Sequence, residues 1–322
     1  MKLHKIILLL SLCVLLTNCK QKVTVKKHKV TSINPIAYTD VIFKAGRDTV
    51  FVSTFDGKIY QLVNENNNKK QIAAIGDEIY DLAYHAEKNE LYAATLNSGI
   101  VIINVLNGAV IDKLPIKETW AYQICFNTQN GILATFDFKG NHYVWDTNND
   151  FRKLDTPDDL KRMSPKYIAD NGDIYFDGLG KLISWNYRTN NIKQSQINGK
   201  IADVDDNRNV LIMGGKEFAF YDTREDSIIY TRSHPNWPIY VPQQDSIVNI
   251  PLSLEVLFGL TSNKSIYTLG LDKSIREWNK WSGRLIKTYS KHRGTPSGMD
   301  ITADESQLVT VDLLGKIHFW NL

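Results

Sequence analysis

Gly140-Asn141-His142-Tyr143-Val144-Trp145-Asp146 joins a turn glycine to a short alternating run that ends on a tryptophan and an acid. The phrase recurs as Gly57…Leu62, Gly99…Asn104, Gly180…Trp185, Gly215…Phe220, Lys273…Trp278 and Gly315…Trp320. Most steps between these turns are about 40 residues, the spacing of stacked four-stranded units. Between turns the apolar residues alternate with period two, as half-buried strands require. The first unit shows the pattern in full, with strands over 38–44, 49–54, 58–63 and 71–75. Asp56-Gly57, between its second and third strands, is a tight-hairpin signal. Later units open on inner strands near 79–84, 122–126, 167–169, 201–204, 254–260 and 298–301.

Seven units follow one another, and the seventh stops after its third strand. A short extended segment over 30–34 precedes the first unit and has no unit of its own. Pairing it into the last unit closes a ring and removes the exposed sheet edges of a linear array. The expectation is an all-β, seven-bladed β-propeller of four-stranded antiparallel blades spanning 29–322, its ring closed by that N-terminal strand. One step, from 215 to 273, is too long. The surplus lies over 232–253 and holds Pro235, Pro238, Pro242 and Pro251 with His234, Trp237 and Tyr240. So many prolines argue against regular pairing, and so long an insertion in a compact domain is functional or disordered. Its aromatic content favours order.

Third strands ending in Trp145-Asp146, Trp185-Asn186, Trp278-Asn279 and Trp320-Asn321 resemble the WD-repeat β-propeller family over nearly all of the chain after residue 28. Asn279-Lys280-Trp281-Ser282-Gly283-Arg284-Leu285 is similar to that family's turn into the outer strand. His292 stands where the family places a Gly-His pair, with Lys291 in place of the glycine. Only Asp56 and Asp272 keep a turn aspartate six residues before the tryptophan-equivalent position. The resemblance therefore implies that the family's His–Asp hydrogen-bond network is mostly missing.

The N-terminus reads separately. Met1-Lys2-Leu3-His4-Lys5 is basic, and 6–16 is apolar except for Ser11. That run is shorter than the roughly 20 residues a spanning helix needs, but it suits a secretory signal. Leu16-Thr17-Asn18-Cys19 then resembles the bacterial lipoprotein box, which implies a signal peptide over 1–18, a lipid on Cys19 and a Lys-rich tether over 19–28. Of the other cysteines, Cys13 falls in the signal, and Cys125 sits in an apolar run as a small core residue. Residues 1–29 hold seven lysines and no acids; thirty-eight basic residues less these seven leaves 31 against 35 acidic. A slightly acidic folded part without a basic stripe argues against nucleic acid. The five lysines after Cys19 are a solvated tether or an electrostatic aid to a single acyl chain.

Catalytic motifs are missing: no phosphate-cradling glycine loop, no His-Glu-x-x-His, no Gly-x-Ser-x-Gly. The histidines are scattered among units without ligand spacing, so neither a metal nor a cofactor is expected. Asp203-Val204-Asp205-Asp206-Asn207 and Asp146-Thr147-Asn148-Asn149-Asp150 begin like calcium loops but lack the glycine at position six and the acid at position twelve. They read as turns. Recognition remains. If loops before the inner strands gather on one face, Ala37, Glu78, Trp120, Met163, Asn198 and Thr295 surround the channel there, joined by Trp237 and Tyr240 of the insertion. Aromatic anchors dominate binding surfaces, so Trp120, Trp237, Tyr240, Glu78, Met163 and Thr295 are the candidate binding residues. The expected function is a non-catalytic, lipid-anchored interaction scaffold. It would bind an envelope protein or complex and face the periplasm from the outer membrane. Two alternatives stay open: a hydrolase or lyase acting on glycans or peptides in the channel, and a small-ligand sensor.

Overall fold

The computed structural model describes residues 36–322 apart from 45, 47, 65–68, 179 and 251–255. Seven blades follow in chain order. Blade 1 is Tyr38–Phe43 (β1), Thr49–Thr54 (β2), Lys58–Val63 (β3) and Lys69–Ala74 (β4); blade 2 is Ile79–His85 (β5), Glu90–Thr95 (β6), Ile100–Asn104 (β7) and Val110–Leu114 (β8). Blade 3 is Ile124–Asn127 (β9), Ile132–Phe136 (β10), His142–Asp146 (β11) and Arg152–Lys153 (β12). Blade 4 is Ser164–Ile168 (β13), Asp173–Gly178 (β14), Lys181–Asn186 (β15) and Ile192–Gln196 (β16), after a 3-10 turn at Asp158–Leu160. Blade 5 is Lys200–Val204 (β17), Asn209–Gly214 (β18), Glu217–Asp222 (β19) and Ser227–Ser233 (β20). A separate hairpin follows, Trp237–Val241 (β21) and Ser246–Ile250 (β22). Blade 6 is Val256–Thr261 (β23), Ser265–Gly270 (β24), Ile275–Asn279 (β25) and Leu285–Tyr289 (β26). Blade 7 is Pro296–Ile301 (β27), Gln307–Asp312 (β28) and Ile317–Asn321 (β29), three strands among the described residues.

All pairings are antiparallel between chain neighbours, as short hairpin turns dictate. The recurring turn glycines have a backbone reason: Gly57, Gly140 and Gly315 sit at φ 79, 77 and 74, and Lys273 takes the same left-handed conformation at φ 67. At Gly57 an added Cβ would also lie 2.4 Å from the Asp77 carbonyl oxygen, so both conformation and space demand glycine.

Second strands are buried on both faces; β24 is buried along its whole length. Packing occurs between blades. One apolar cluster fills each junction: Phe51 and Ile59 of blade 1 meet Leu91 and Val101 of blade 2, and so on around the ring. The seventh cluster joins Val309, Val311 and Phe319 of blade 7 to Tyr38, Val50 and Val52 of blade 1. Phe43 N–H also donates to Asp300 Oδ2 at 2.7 Å and Ser297 Oγ to the Tyr38 carbonyl at 2.6 Å. Blade 7 thus closes onto blade 1. The N-terminal strand expected over 30–34 lies outside the described residues.

Two expectations need correction. The prolines of the insertion do not prevent pairing: β21 and β22 form a two-stranded sheet in which Pro238 opposes Asn249. A two-stranded unit has only edges, where a missing N–H is tolerated. Residues 232–233 belong to blade 5, and the hairpin begins only after His234.

The His–Asp network, expected to be mostly missing, is complete in blade 7 among the described residues. In blade 7, His292 Nδ1 lies 3.0 Å from Asp312 Oδ2 and Nε2 lies 2.7 Å from Thr310 Oγ1. Trp320 Nε1 donates to the same hydroxyl at 2.8 Å. Blade 6 repeats this with His234, Thr268 and Trp278 at 2.8 and 2.7 Å. Its Gly270 pairs with the first residue of the inner strand as Asp312 does in blade 7. With no acid there, Arg276 stands beside the ring, paired with Asp272. Burial first, and then Arg276, lower the His234 pKa to about 4.

Candidate functional site at the channel mouth

Six of the seven inner strands share an irregularity that helps build the channel, and that of blade 3 pairs without it. Register slips by one residue after Tyr38, Ile79, Pro165, Ile201, Val256 and Pro296. An extra residue bends a strand and re-aims its side chain. Here the extra residues are Thr39, Tyr80, Lys166, Ala202, Leu257 and Ser297, and all six line a central cavity of about 510 Å³. Channel lining is therefore set by one repeated backbone defect.

Next to these residues runs a ring of carboxylates, each reaching the backbone of the following blade. Asp300 accepts from Phe43 N–H, Asp40 from Leu82 N–H at 2.9 Å and Asp81 from Ile124 N–H at 2.7 Å. Asp177 accepts from Ile201 N–H at 2.6 Å, and Asp203 takes both the Thr261 N–H and hydroxyl at 2.7 Å. At the junction of blades 3 and 4, Lys166 Nζ donates to Gln123 Oε1 at 2.8 Å instead. Burial pushes the Asp203 and Asp300 carboxyls up to about 6. Burial, and then the adjacent Asp81 carboxylate, hold Asp40 well above the usual carboxylate range. Burial likewise raises Asp81 and Asp177. The backbone N–H bonds oppose the shift at each site, so these acids serve as acceptors that hold blades together.

On the rim the chain gathers aromatics from separate blades. Trp120, just before the inner strand of blade 3, lies 5.4 Å from Tyr80, 5.5 Å from Tyr122 and 6.0 Å from Phe138, the last stacked at 19°. Tyr122 continues to Phe136 at 6.2 Å. Phe138 is 70% exposed and Tyr122 48%. Trp120 is half-buried at φ 70, a left-handed conformation that a bulky residue rarely adopts, and its enclosed indole N–H has no acceptor among the described residues. A pocket of about 290 Å³ opens beside this cluster, walled by Trp120, Tyr122, Phe136 and Phe138 and edged by Lys166 and Lys200 together with Asp137 and Asp177.

The candidate residues divide. Trp120 sits at the centre of the aromatic cluster. Glu78 is at its border, its Oε2 accepting from Tyr80 Oη at 2.7 Å. Thr295 is half-buried on the loop before β27, and its carbonyl accepts from Leu313 N–H at 3.0 Å. Met163 is a correction: only 1% exposed, it fills the cluster between blades 3 and 4 and offers no surface. Tyr240 is 55% exposed on β21, and its hydroxyl donates to Asp245 at 2.6 Å. The hairpin that carries Tyr240 and Trp237 is a two-stranded sheet of its own, and among the described residues no ring contact joins Tyr240 to the Trp120 cluster. Cys19 lies outside the described residues. Among the described residues no group of His, Cys, Asp and Glu is arranged to hold a metal ion. Cys125 is buried, its thiol pushed up by burial.

Sequence reasoning missed Tyr80, Tyr122, Phe138, Lys166 and Lys200. A usable signal existed, since Tyr80, Tyr122 and Lys166 occupy the position just before the repeated acid or its equivalent in each inner strand.

No family model and no curated protein matches the chain. Solved structures do. The WD40 β-propeller domain of Doa1 aligns with a TM-score of 0.67 at 12% identity, covering 88% of this chain and 92% of that one. The β-propeller domain of Myceliophteria thermophila Cps50 (Swd1) aligns with a TM-score of 0.70 at 12% identity, covering 89% and 97%. The fold is that of a WD40 β-propeller. From here we call the aromatic and lysine rim the propeller's mouth.

Proposed function

We propose that the chain is a non-catalytic, lipid-anchored propeller that binds a protein partner at the envelope of a bacterial cell through the mouth around Trp120. One observation carries this reading. The chain holds a large aromatic residue in a left-handed conformation, with an indole N–H unpaired among the described residues, so that four rings from two blades meet at the surface. Such a residue costs on the order of 1–3 kcal/mol and persists where the surroundings over-determine it, often at ligand sites. The blade cores are already filled by other side chains, so the cluster is surplus to folding. Exposed, clustered aromatics are the composition of binding hot spots.

The carboxylates of the channel support a non-catalytic reading because their oxygens are engaged by backbone N–H groups. The sequence Leu16-Thr17-Asn18-Cys19 supports the lipid anchor, and with it a place on the outer membrane facing the periplasm. The WD40-type fold supports interaction in general, as a platform whose loops converge on one face.

A photo-reactive benzoylphenylalanine placed at Phe138 and irradiated in intact envelopes tests the reading. We expect a discrete adduct of higher mass from position 138 and none from Ile229, an exposed residue of outer strand β20. Equal labelling from both positions, or none from 138, overturns it.

A further inference from the structure

Between blades 4 and 5 the apolar junction gives out toward one end. Tyr175 and Leu182 of blade 4 belong to the cluster that holds Val204 and Val210 of blade 5. Register continues the same face of blade 4 in polar residues, with Ser184 and Lys193 in line with Tyr175 and Ser195 opposite Leu182. A cavity of about 270 Å³ opens there, a little under the roughly 300 Å³ at which sites for drug-sized ligands begin. Blade 5 closes it with Arg208, in the turn between β17 and β18, and with Thr223 and Arg224, in the turn after β19. Those turns lie at the end of the blades opposite the glycine turns, and therefore away from the mouth.

Arg208 is an unusual occupant of its turn. It sits at φ 65, and the same turn position holds Asn89 in blade 2, Gly131 in blade 3 and Gly172 in blade 4, the residue types that a left-handed conformation favours. Blade 7 departs as well, with Glu305, but there the side chain accepts from Asn263 N–H. Arg208 has no such internal use: neither it nor Lys193, both exposed, has an ion-pair partner among the described residues. Its carbonyl accepts from Thr223 Oγ1 at 2.9 Å, which fixes the turn beside the cavity. Three cations line the walls against one acid. Arg224 is paired with Asp222 at 3.0 Å. The acid, Asp173, accepts from the Asn171 and Asn186 side-chain amides at 2.9 and 2.8 Å, which leaves each of its oxygens a lone pair for another donor. An anion alone would be drawn to Lys193 and Arg208 but repelled by Asp173. A ligand with an anion at one end and hydroxyls at the other satisfies all three. We propose that this cavity binds a small phosphate ester carrying hydroxyl groups, its phosphate between Lys193 and Arg208 and a hydroxyl on Asp173. A phosphate suits two unpaired cations better than a carboxylate does, having more oxygens to share between them and a fork-shaped partner in Arg208.

Isothermal titration of the full chain, purified in detergent, tests this with glycerol 3-phosphate, glycerol, inorganic phosphate and a short-chain phosphatidylglycerol, which carries a phosphoglycerol group on a lipid. We expect glycerol 3-phosphate to bind at least about tenfold tighter than inorganic phosphate, and glycerol to give no heat. Lys193→Gln combined with Arg208→Asn should weaken that binding at least about tenfold, while the melting temperature holds or rises because asparagine suits the turn. Asp173→Asn, which removes the repelling charge, should bring inorganic phosphate to within about threefold of the ester. Tighter binding of the phosphatidylglycerol than of glycerol 3-phosphate makes the source a lipid headgroup; the reverse order makes it a free ester. Inorganic phosphate binding as tightly as the ester, full affinity in the double variant, or no heat from any phosphate overturns the proposal. The titration reads the end of the propeller opposite to position 138, so its failure leaves the binding face untouched.

Discussion

Asp203→Asn should gain stability relative to wild type as pH rises, and the size of that change follows from the channel. Burial moves the Asp203 carboxyl from 3.8 to about 6 in the folded chain. Each unit is worth about 1.4 kcal/mol, so ionising the group in the folded state costs about 3 kcal/mol, reduced to about 1–2 because the channel admits water. The sign is fixed by proton counts. Between pH 3.8 and about 6 the folded chain holds a proton that the unfolded chain has released. This group's contribution is therefore fully present at low pH and is lost as pH rises through that window. Asparagine removes the charge but keeps one acceptor oxygen for Thr261, while its NH2 faces the Val204 N–H that donates to Asp203 Oδ1 at 2.9 Å, a constant cost of about 1–3 kcal/mol. Alanine leaves the Thr261 N–H unpaired as well, at about 1–3 kcal/mol. Urea unfolding from pH 3.5 to 7.5 reads both. We expect wild type minus Asp203→Asn to fall by about 1–2 kcal/mol across the window, with Asp203→Ala below Asp203→Asn throughout. Comparison with the variant cancels the opposite slope of acids whose carboxyls are held low, such as Asp137 and Asp312. A pH-independent difference, or an asparagine variant as unstable as the alanine one at pH 7, refutes the reasoning.

Other consequences are checked more simply. Thr310→Val removes the hydroxyl shared by His292 and Trp320; two buried partners lose a bond, so a loss of about 2–4 kcal/mol in urea unfolding is expected. Replacing 237–250 by a Gly-Ser turn should move the melting temperature by less than about 4 °C, since among the described residues the hairpin enters none of the blade-junction clusters. Cys19→Ser should abolish metabolic lipid labelling and release the chain from membranes; an unchanged labelled band sinks the lipoprotein reading.

How much was legible in the sequence depended on whether the cause was local. Turn glycines were legible because a left-handed turn excludes most side chains, and Lys273 shows how the phrase survives one exception. The blade-7 network was underestimated because its acid, Asp312, stands eight positions before Trp320 rather than six, at the end of a second strand instead of in the turn. Pro238 was misread because pairing in an isolated hairpin does not need every N–H. Trp120 could be singled out as an aromatic before an inner strand. Tyr80 was legible only by its place before the repeated acid, and Phe138 not at all, since both reach Trp120 from other segments of two blades. Met163 failed for the opposite reason: the same position in the next blade turns inward, where a flexible apolar chain fills the junction. The carboxylate ring was visible only as residues, Asp40, Asp81 and Asp203 after equivalent positions, because what they bind is the backbone of the following blade.

The most direct measurement on the central claim separates binding from packing at the mouth. Phe138→Ala removes a ring that is 70% exposed, and a photo-reactive reporter at Leu313, which is 44% exposed on the loop after β28, is carried in the same chain. Thermal melting and adduct yield are then read together. If the aromatic rim is a partner-binding face, the melt stays within about 2 °C of the parent, because little buried apolar surface is lost, while the adduct falls at least tenfold. A full adduct yield from the Phe138→Ala chain, with melting unchanged, would contradict the account.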